Sequence, residues 1–211
     1  LNKTNKVDLH IDLIAGLPEQ SLDEFILSLR ECLSYNPDHV SMYSLTIEEG
    51  TPLFTRCEKI DCFNEDEIDN QWLKGREILF ENNYCQYEVS NFCKKGKESL
   101  HNMSYWTQKS YLGIGSGACG TIYEKDKALR WNNKTNIEDY INFWTKNKFT
   151  EDFIPVEIEH LSKDVLEFEF LMMGLRTLKG LNLREYKEKF SDNEKFSGDL
   201  RKRLSCDINI W

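Results

Sequence analysis

VDLHIDLIAGLP, residues 7–18, is the stretch of this sequence that decides the fold. Residues 7–15 are rich in Val, Ile and Leu, with acidic residues between them. Gly16-Leu17-Pro18 then ends the element, as turn residues commonly do. This pattern predicts a buried β-strand of the kind found in parallel sheets.

A helix and a second strand follow this segment. Ser21, with Glu24 three residues later, forms a capping-box pattern, and apolar residues continue at helical spacing as far as Asn36-Pro37. Residues 39–45 are the next predicted strand. Strand, helix and strand make a βαβ unit, whose parallel strands need neighbours on both sides. Because the chain supplies no earlier strand, we expect it to be the trailing part of a larger α/β barrel or sheet.

The remainder of the chain predicts a second region of mixed character. Its expected elements are a helix over 65–82, a strand over 84–89, a loop over 91–100 and helices over 136–146, 157–178 and from Leu183. We therefore expect two domains, with the boundary between residues 52 and 53. The second domain would contain a strand and loop region over 84–131 and a helical module over 136–190.

Composition limits the function classes that this chain can serve. It has 211 residues, 40% of them hydrophobic, with a formal net charge of -9 and a pI near 5.1. The negative charge argues against a nucleic-acid partner, because nucleic-acid binders normally present a basic face. We find no apolar tract long enough to span a bilayer and no signal peptide, so no membrane span is expected.

Seven cysteines are scattered along the chain without paired spacing. An odd number of unpaired cysteines predicts free thiols in a reducing cytoplasm. None of the intervals matches the CxxC or CxxxCxxC spacing of zinc and iron–sulfur sites, so the sequence predicts no metal cluster within this chain.

HNMSYWTQKSYLGIGSGAC, residues 101–119, combines histidine, amide, phenol and indole groups ahead of a glycine-rich turn. Such groups are poor core material because their polar atoms need partners when buried. Two interpretations stay open: a platform for a flat, partly apolar ligand, or a loop stapled to the core by its aromatic residues. His101 is a candidate metal or heme-iron ligand, with Tyr105 and Trp106 sheltering a flat macrocycle.

Gly115, Gly117 and Gly120 fit the spacing of a GxGxxG phosphate-binding motif. They do not follow a strand inside a βαβ unit, and no acidic residue follows on a second strand. We therefore expect these glycines to permit close backbone approach instead of binding a dinucleotide.

Asp12 lies near the carboxyl end of the first predicted strand, where parallel sheets place ligand-binding groups. Its carboxylate could accept hydrogen bonds from a ribose or an ammonium group, or it could simply cap the next turn. His39 begins the second strand and is expected to be structural. Glu48 and Glu49 lie near the same rim but point to different faces of an extended chain, which disfavours an acid/base pair.

Six segments, taken together, resemble a known family. They are DLIAGLP (12–18), NPDHVSMYSLTIEEGTPL (36–53), YEVSNF (87–92), HNMSYW (101–106), YLGIGSGACG (111–120) and LMMGLRTLKG (171–180). In this order they resemble the later two thirds of the oxygen-independent coproporphyrinogen III oxidase-like radical SAM proteins. HNMSYW is the most discriminating segment, because it resembles the HNxxYW motif of the heme chaperone branch and not the true oxidase.

The resemblance implies a fold and a set of cofactor-binding residues. The implied fold class is α/β: residues 1–52 form the last strands of a partial (β/α)6 radical SAM barrel, and residues 53–211 form a C-terminal α+β domain that is mostly helical at its end. By position, Asp12 and Thr46 resemble residues that contact S-adenosylmethionine. The family's segment linked to heme binding is matched in this chain by four residues: His101, Asn102, Tyr105 and Trp106.

One family feature is missing. Family members hold a [4Fe-4S] cluster with a CxxxCxxC motif, and this sequence contains no such motif. The resemblance therefore implies a fragment that lacks the first four barrel strands and is inactive in radical chemistry by itself.

The resemblance implies that the intact protein binds S-adenosylmethionine, the [4Fe-4S] cluster and heme, and delivers heme to a recipient hemoprotein. Two alternatives stay open. The first is an oxygen-independent coproporphyrinogen III oxidase, and the second is a non-catalytic adaptor domain. Since exposed strand edges tend to pair, we also expect the chain to form a homodimer or to exchange segments.

Overall fold

The computed structural model describes residues 7–57, 64–146 and 157–190. The chain forms two compact units, Leu1–Met103 and Ser104–Trp211. Each unit has its own β-sheet and its own apolar core. Of the helices in these described ranges, none is both long enough and apolar enough to cross a membrane.

The first unit is a four-stranded sheet with helices. Its elements are β1 (His10–Ala15), α1 (Leu22–Ser34), β2 (His39–Ser44), α2 (Pro52–Cys57), α3 (Glu65–Glu81), β3 (Cys85–Gln86), β4 (Asn91–Cys93) and the start of α4 (Leu100–Trp106). The strand order is β1-β2-β4-β3. β1 and β2 are parallel, with His10 opposite His39, whereas β4 is antiparallel to both of its neighbours. The predicted βαβ unit is therefore confirmed.

Helix α1 begins where the capping box predicts. The Glu24 backbone N–H donates to Ser21 Oγ at 3.3 Å, and the Ser21 N–H donates to a Glu24 carboxylate oxygen at 2.9 Å. These two bonds satisfy donors that the first helical turn would otherwise leave unpaired.

The apolar side of α1 packs with α3 on one face of the sheet. The fully or nearly fully buried residues of this core are Ala15, Phe25, Leu29, Cys32, Val40, Met42, Ile78, Leu79, Tyr84 and Phe92. Because α1 and α3 both cover this face, the alternate residues of β1 and β2 point to the opposite side of the sheet.

Gly16 ends β1 in a backbone conformation that favours glycine, with φ of +83°. A Cβ atom at this position would lie 2.4 Å from the Ile68 side chain. The Gly16 N–H donates to Gln71 Oε1 at 2.8 Å, and Gln71 Nε2 donates to the Gln20 carbonyl at 2.8 Å. The turn after β1 is therefore fixed directly against α3.

The strand prediction for 84–89 and the loop prediction for 91–100 are partly wrong. Only Cys85–Gln86 form a strand in the first range, and β4 lies within the predicted loop. Asn91–Cys93 are all buried, with Phe92 opposite Val40 of β2. Pairing on both edges of this short segment decides its conformation, and its three residues are too few to show periodicity. Helix α2 is also absent from the predicted elements.

The second unit contains a three-stranded antiparallel sheet in the order β5-β6-β7. Its elements are β5 (Cys119–Tyr123), β6 (Ala128–Asn132), α5 (Ile137–Lys146), β7 (Glu157–Leu161), α6 (Lys163–Leu175) and α7 (Leu183–Phe190). Its core consists of Ala128, Leu161, Leu166, Tyr186 and Phe190.

Close backbone approach is confirmed for Gly120 but not for Gly115 or Gly117. An added Cβ atom would meet nothing within 4 Å at Gly115 and would make an ordinary contact with Thr135, at 3.7 Å, at Gly117. A Cβ atom on Gly120 would lie 2.1 Å from the Trp131 ring, which is opposite it in the sheet. A Cβ atom on Gly113 would lie 2.4 Å from the Cys119 carbonyl oxygen.

The prediction of one helix over 157–178 is wrong over its first five residues. Glu157–Leu161 form β7, which pairs with β6, and α6 starts only after the N-cap residue Ser162. The predicted helical module 136–190 therefore contains a strand. Its apolar pattern fits a helix locally, but hydrogen bonding to β6 decides the conformation.

The boundary between residues 52 and 53, which is predicted to separate the barrel portion from the C-terminal domain, stays a prediction. The first compact unit extends beyond it, to Met103, because β3 and β4 pair onto the sheet that β2 begins.

His39 is the buried titratable group of β2, with only 2% of its surface exposed. Its ring stacks on His10 with 4.5 Å between ring centroids, and Nε2 lies 2.9 Å from the Tyr87 hydroxyl. Burial, with a smaller contribution from the neighbouring His10, lowers the pKa of His39 to about 4, although Asp12 opposes the shift. His39 is therefore neutral at neutral pH.

We predict that His39 makes the protein sensitive to acid. Its pKa is about 4 in the folded state and near 6.5 when unfolded, so only the unfolded state takes up the proton between these values. The free energy of unfolding should fall as pH drops from 6.5 to 4, by at most about 3 kcal/mol. Urea unfolding across this range measures the effect. His39→Gln should flatten the profile, and the exposed-site control His160→Gln should keep it; identical slopes for both variants would contradict the prediction.

Two leucines of α1 test the packing of the first unit. Leu29 is fully buried, whereas Leu27 is 68% exposed. Leu29→Ala should lower the free energy of unfolding by about 2–5 kcal/mol, because it leaves a cavity among packed side chains. The matched control Leu27→Ala should change it by no more than about 0.5 kcal/mol. Urea denaturation of both variants makes the comparison, and equal losses would show that α1 does not pack by this face.

Candidate cofactor-binding site

The sheet of the first unit has a polar face on the side away from the apolar core. Ile11 and Leu13 pack against that core, so the residues between them point the other way. We call this surface the polar face, and its members are His10, Asp12, His39 and Ser41. Strand pairing sets His10 of β1 opposite His39 of β2, and Asp12 of β1 opposite Ser41 of β2.

Asp12 is exposed in the middle of β1, opposite the buried Ser41, and not near the carboxyl end of the strand as predicted, because β1 begins only at His10. Thr46 is also exposed and follows the end of β2, where the Leu45 N–H donates to the Ala15 carbonyl at 2.9 Å. Of the two residues predicted to contact S-adenosylmethionine, Asp12 thus lies on β1 and Thr46 lies beyond the end of the neighbouring parallel strand β2. An exposed carboxylate and a backbone segment beyond the strand end suit an extended polar ligand, so these residues fit the implied group.

A cluster of buried polar side chains adjoins the polar face. The Tyr87 hydroxyl contacts His39 Nε2, and Asn91 Nδ2 donates a short hydrogen bond to Glu88 Oε1. Burial raises the pKa of Tyr87, so its hydroxyl keeps the proton that it can donate to the neutral imidazole. We call Tyr87, Glu88 and Asn91 the anchor cluster.

HNMSYW, the start of residues 101–119, is helical, as α4, and is not a loop. The ligand platform and the segment held to the core by its aromatic residues both stay predictions. His101 and Tyr105 are both exposed and stand four residues apart, which places them one turn apart on the same side of the helix. Asn102 is half-buried on another side. It donates from Nδ2 to the Tyr87 hydroxyl at 3.2 Å and to Glu88 Oε1 at 3.4 Å.

Tyr105 and Trp106 belong to the second unit, and both have partners within it. The Tyr105 ring meets the Tyr111 ring edge to face, with 4.8 Å between centroids. Trp106 is half-buried, and the Arg176 guanidinium lies 5.8 Å from the centroid of its ring. Trp106 Nε1 is buried without a hydrogen-bond partner in the described part of the chain. Packing thus holds both rings that the sequence predicts beside His101.

The arrangement fits one coordinating group and does not supply a metal cluster. A neutral imidazole on a helix surface can coordinate heme iron, and the exposed ring one turn away can contact a flat macrocycle. Across residues 7–57, 64–146 and 157–190, no three His, Cys, Asp or Glu side chains come together as a metal site. His101 stays the predicted iron ligand of this chain.

The sequence did not single out His10 or the anchor cluster as parts of this surface. Alternation along β1 could have placed His10 and Asp12 on the same face of the sheet, because the apolar Ile11 lies between them and points to the other face. Nothing local predicts that Glu88 is buried, since a buried carboxylate depends on donors from other segments. Those donors come from Asn91 and Asn102.

Comparison with known proteins gives a consistent set of relatives. Residues 161–202 match the family described as the HemN C-terminal domain. The chain is 33% identical to the heme chaperone HemW of Buchnera aphidicola subsp. Schizaphis graminum, over 100% of this chain and 55% of that protein. It is 36% identical to the heme chaperone HemW of Escherichia coli, over 81% of this chain and 42% of that protein.

A third relative is the mitochondrial radical S-adenosyl methionine domain-containing protein 1 of Mus musculus. Its identity to this chain is 32%, over 84% of the chain and 41% of the mouse protein. The chain therefore spans about half the length of the curated relatives that it matches.

A solved structure supports the fold. Coproporphyrinogen III oxidase (HemN) from Escherichia coli, described as a radical SAM enzyme, superposes with a TM-score of 0.67 at 17% identity. The match covers 94% of this chain and 48% of that one. This likeness confirms the predicted α/β fold class, and the relatives named heme chaperone HemW confirm the resemblance of the sequence as a whole. Residues 161–202 thus match the HemN C-terminal domain family, and most or all of the chain is similar in sequence to proteins named heme chaperone HemW.

Proposed function

We propose that the complete protein binds heme at α4 and delivers it to a recipient hemoprotein. The observation that carries this proposal is the exposed His101 within HNMSYW, one helical turn from the exposed Tyr105. The relatives named heme chaperone HemW, at 33% and 36% identity, support the same function.

Each residue of the motif has a role in this proposal. The His101 imidazole supplies a nitrogen to the heme iron, and the Tyr105 ring contacts the macrocycle. Trp106 adds apolar surface next to the Arg176 guanidinium, a cation that suits a carboxylate-bearing ligand. Asn102 belongs to the same heme-binding segment and holds its place in the helix through its amide.

We also propose that S-adenosylmethionine lies along the polar face. The exposed Asp12 carboxylate accepts hydrogen bonds from a ribose hydroxyl or an ammonium group, and the backbone near Thr46 contacts the same ligand. A [4Fe-4S] cluster, with its ligands in a part of the protein outside this chain, would supply the electron for reductive cleavage. Within this chain, Asp12 and Thr46 bind and orient.

The setting of the protein is part of the proposal. Seven cysteines, of which Cys32, Cys85, Cys93 and Cys119 are free thiols, support a reducing cytoplasm. In the described sheet β1 has a strand neighbour only in β2. That open edge supports pairing with a further strand, either of the same protein or of a second copy.

Heme titration of the full-length protein tests the role of His101. His101→Ala should weaken heme binding by at least about tenfold and change the absorption spectrum of the bound heme, because the iron loses its ligand. The control is His160→Ala, an exposed histidine of β7, which should bind heme as the unmodified protein does. An unchanged affinity and spectrum in His101→Ala would remove His101 from the site.

The fold likeness to the Escherichia coli oxidase supports a second candidate function, that of a coproporphyrinogen III oxidase. A coproporphyrinogen III oxidase would remove substrate carboxylates as carbon dioxide, whereas a heme chaperone leaves porphyrinogens unchanged. We expect no decarboxylated product when the full-length protein, loaded with its cluster, is incubated anaerobically with coproporphyrinogen III and S-adenosylmethionine. Chromatography of the porphyrins measures this. Accumulation of decarboxylated product at enzymatic rates would favour the oxidase, and a full-length protein without iron, heme or S-adenosylmethionine binding would favour the adaptor.

A further inference from the structure

The residue next to the candidate iron ligand is tied to a different part of the first unit. Asn102 Nδ2 lies within hydrogen-bond distance of both the Tyr87 hydroxyl and Glu88 Oε1. An amide group has two N–H donors, so these two acceptors account for its full donor capacity. The Asn102 amide nitrogen is therefore engaged by the protein and has no donor left for a ligand.

The two acceptors are themselves held in place. Tyr87 and Glu88 are both buried and lie in the turn between β3 and β4, which the Tyr87 N–H closes on the Asn91 carbonyl at 3.0 Å. Glu88 Oε1 also accepts from Asn91 Nδ2. A buried carboxylate is stable only with such donors, so the position of Glu88 is strongly determined.

The same contacts reach the polar face. The Tyr87 hydroxyl accepts from Asn102 and lies 2.9 Å from His39 Nε2, and the His39 ring stacks on His10. His39 is next to Val40 on β2, and the Val40 side chain is fully buried. The anchor cluster is thus connected to β2, which pairs with β1 on one edge and with β4 on the other.

We propose that the anchor cluster, with His39, consists of positioning residues that set the rotation of α4 about its axis through Asn102. This inference rests on the proposed heme-binding function. Adjacent residues of an α-helix differ by a fixed rotation of roughly 100°, so fixing Asn102 against Tyr87 and Glu88 fixes the direction in which His101 projects. Asn102 therefore serves the motif by orientation and not by contact with heme.

The alternative is that Asn102 merely satisfies the buried Glu88. Both explanations predict a loss of stability when Asn102 is changed, so stability cannot separate them. They differ in the bound heme: only a positioning role predicts that changes in the anchor cluster alter the iron–histidine geometry, and with it the heme spectrum.

The test uses the full-length protein and hemin, with absorption and electron paramagnetic resonance spectra of the bound heme. Tyr87→Phe and Asn102→Ala should each weaken heme binding about tenfold and shift both spectra. The double variant should be no weaker than Asn102→Ala alone, because both changes remove one connection.

Tyr84→Phe is the matched control. Tyr84 is also buried in the first unit, and its hydroxyl donates to the Pro37 carbonyl at 2.5 Å, away from the anchor cluster. Its loss should lower the melting temperature without changing heme affinity or spectra. Circular dichroism identifies any variant that does not fold. If Tyr87→Phe does not fold, Asn102→Ala decides alone, because changing the half-buried Asn102 disturbs the core less.

The outcomes separate this inference from the proposed function. Normal heme affinity and spectra in folded Tyr87→Phe and Asn102→Ala, with loss in His101→Ala, would overturn the positioning role and leave heme binding intact. Equal spectral changes in Tyr84→Phe and Tyr87→Phe would also overturn it, since destabilisation would then explain both. An unmodified protein that does not bind heme would overturn the proposed function and this inference together.

Discussion

Hydrogen bonding along both edges of β2 is the constraint on which the first unit depends. β1 pairs with one edge in parallel and β4 with the other in antiparallel, and the first four residues of the strand are buried. Val40 and Met42 complete the apolar core under α1 and α3, whereas His39 and Ser41 belong to the polar face. One strand thus supplies side chains to the core and to the surface proposed for ligand binding, so core packing and site geometry are not independent.

The parts of the fold that follow from the sequence are those with local signals. Ser21 and Glu24 mark the start of α1, and Gly16 marks the end of β1, because caps and turns depend on neighbouring residues. β4 and β7 have no such signal. β4 has only three residues, and the apolar pattern of β7 continues into α6, so both are decided by the distant strands that they pair with.

The candidate site divides in the same way. The residue types in HNMSYW and the place of Asp12 on its strand indicate ligand binding. The family likeness then predicts which ligands these residues bind, heme and S-adenosylmethionine. The direction of each side chain is not local information. His101 faces solvent and Asn102 faces inward because of contacts with Tyr87 and Glu88, about fourteen residues earlier, and no spacing within the motif encodes that choice.

The alternation along β2 has a consequence for how the chain selects its native pairing. A slip of one residue between β1 and β2 would turn every side chain to the opposite side of the sheet. His39 and Ser41 would then face Phe25 and Leu29, without acceptors or donors, while Val40 and Met42 would meet water. Such a mispaired state loses apolar burial and gains unpaired polar groups at once, so the strand that carries the site also discriminates against its own nearest misfolded competitor.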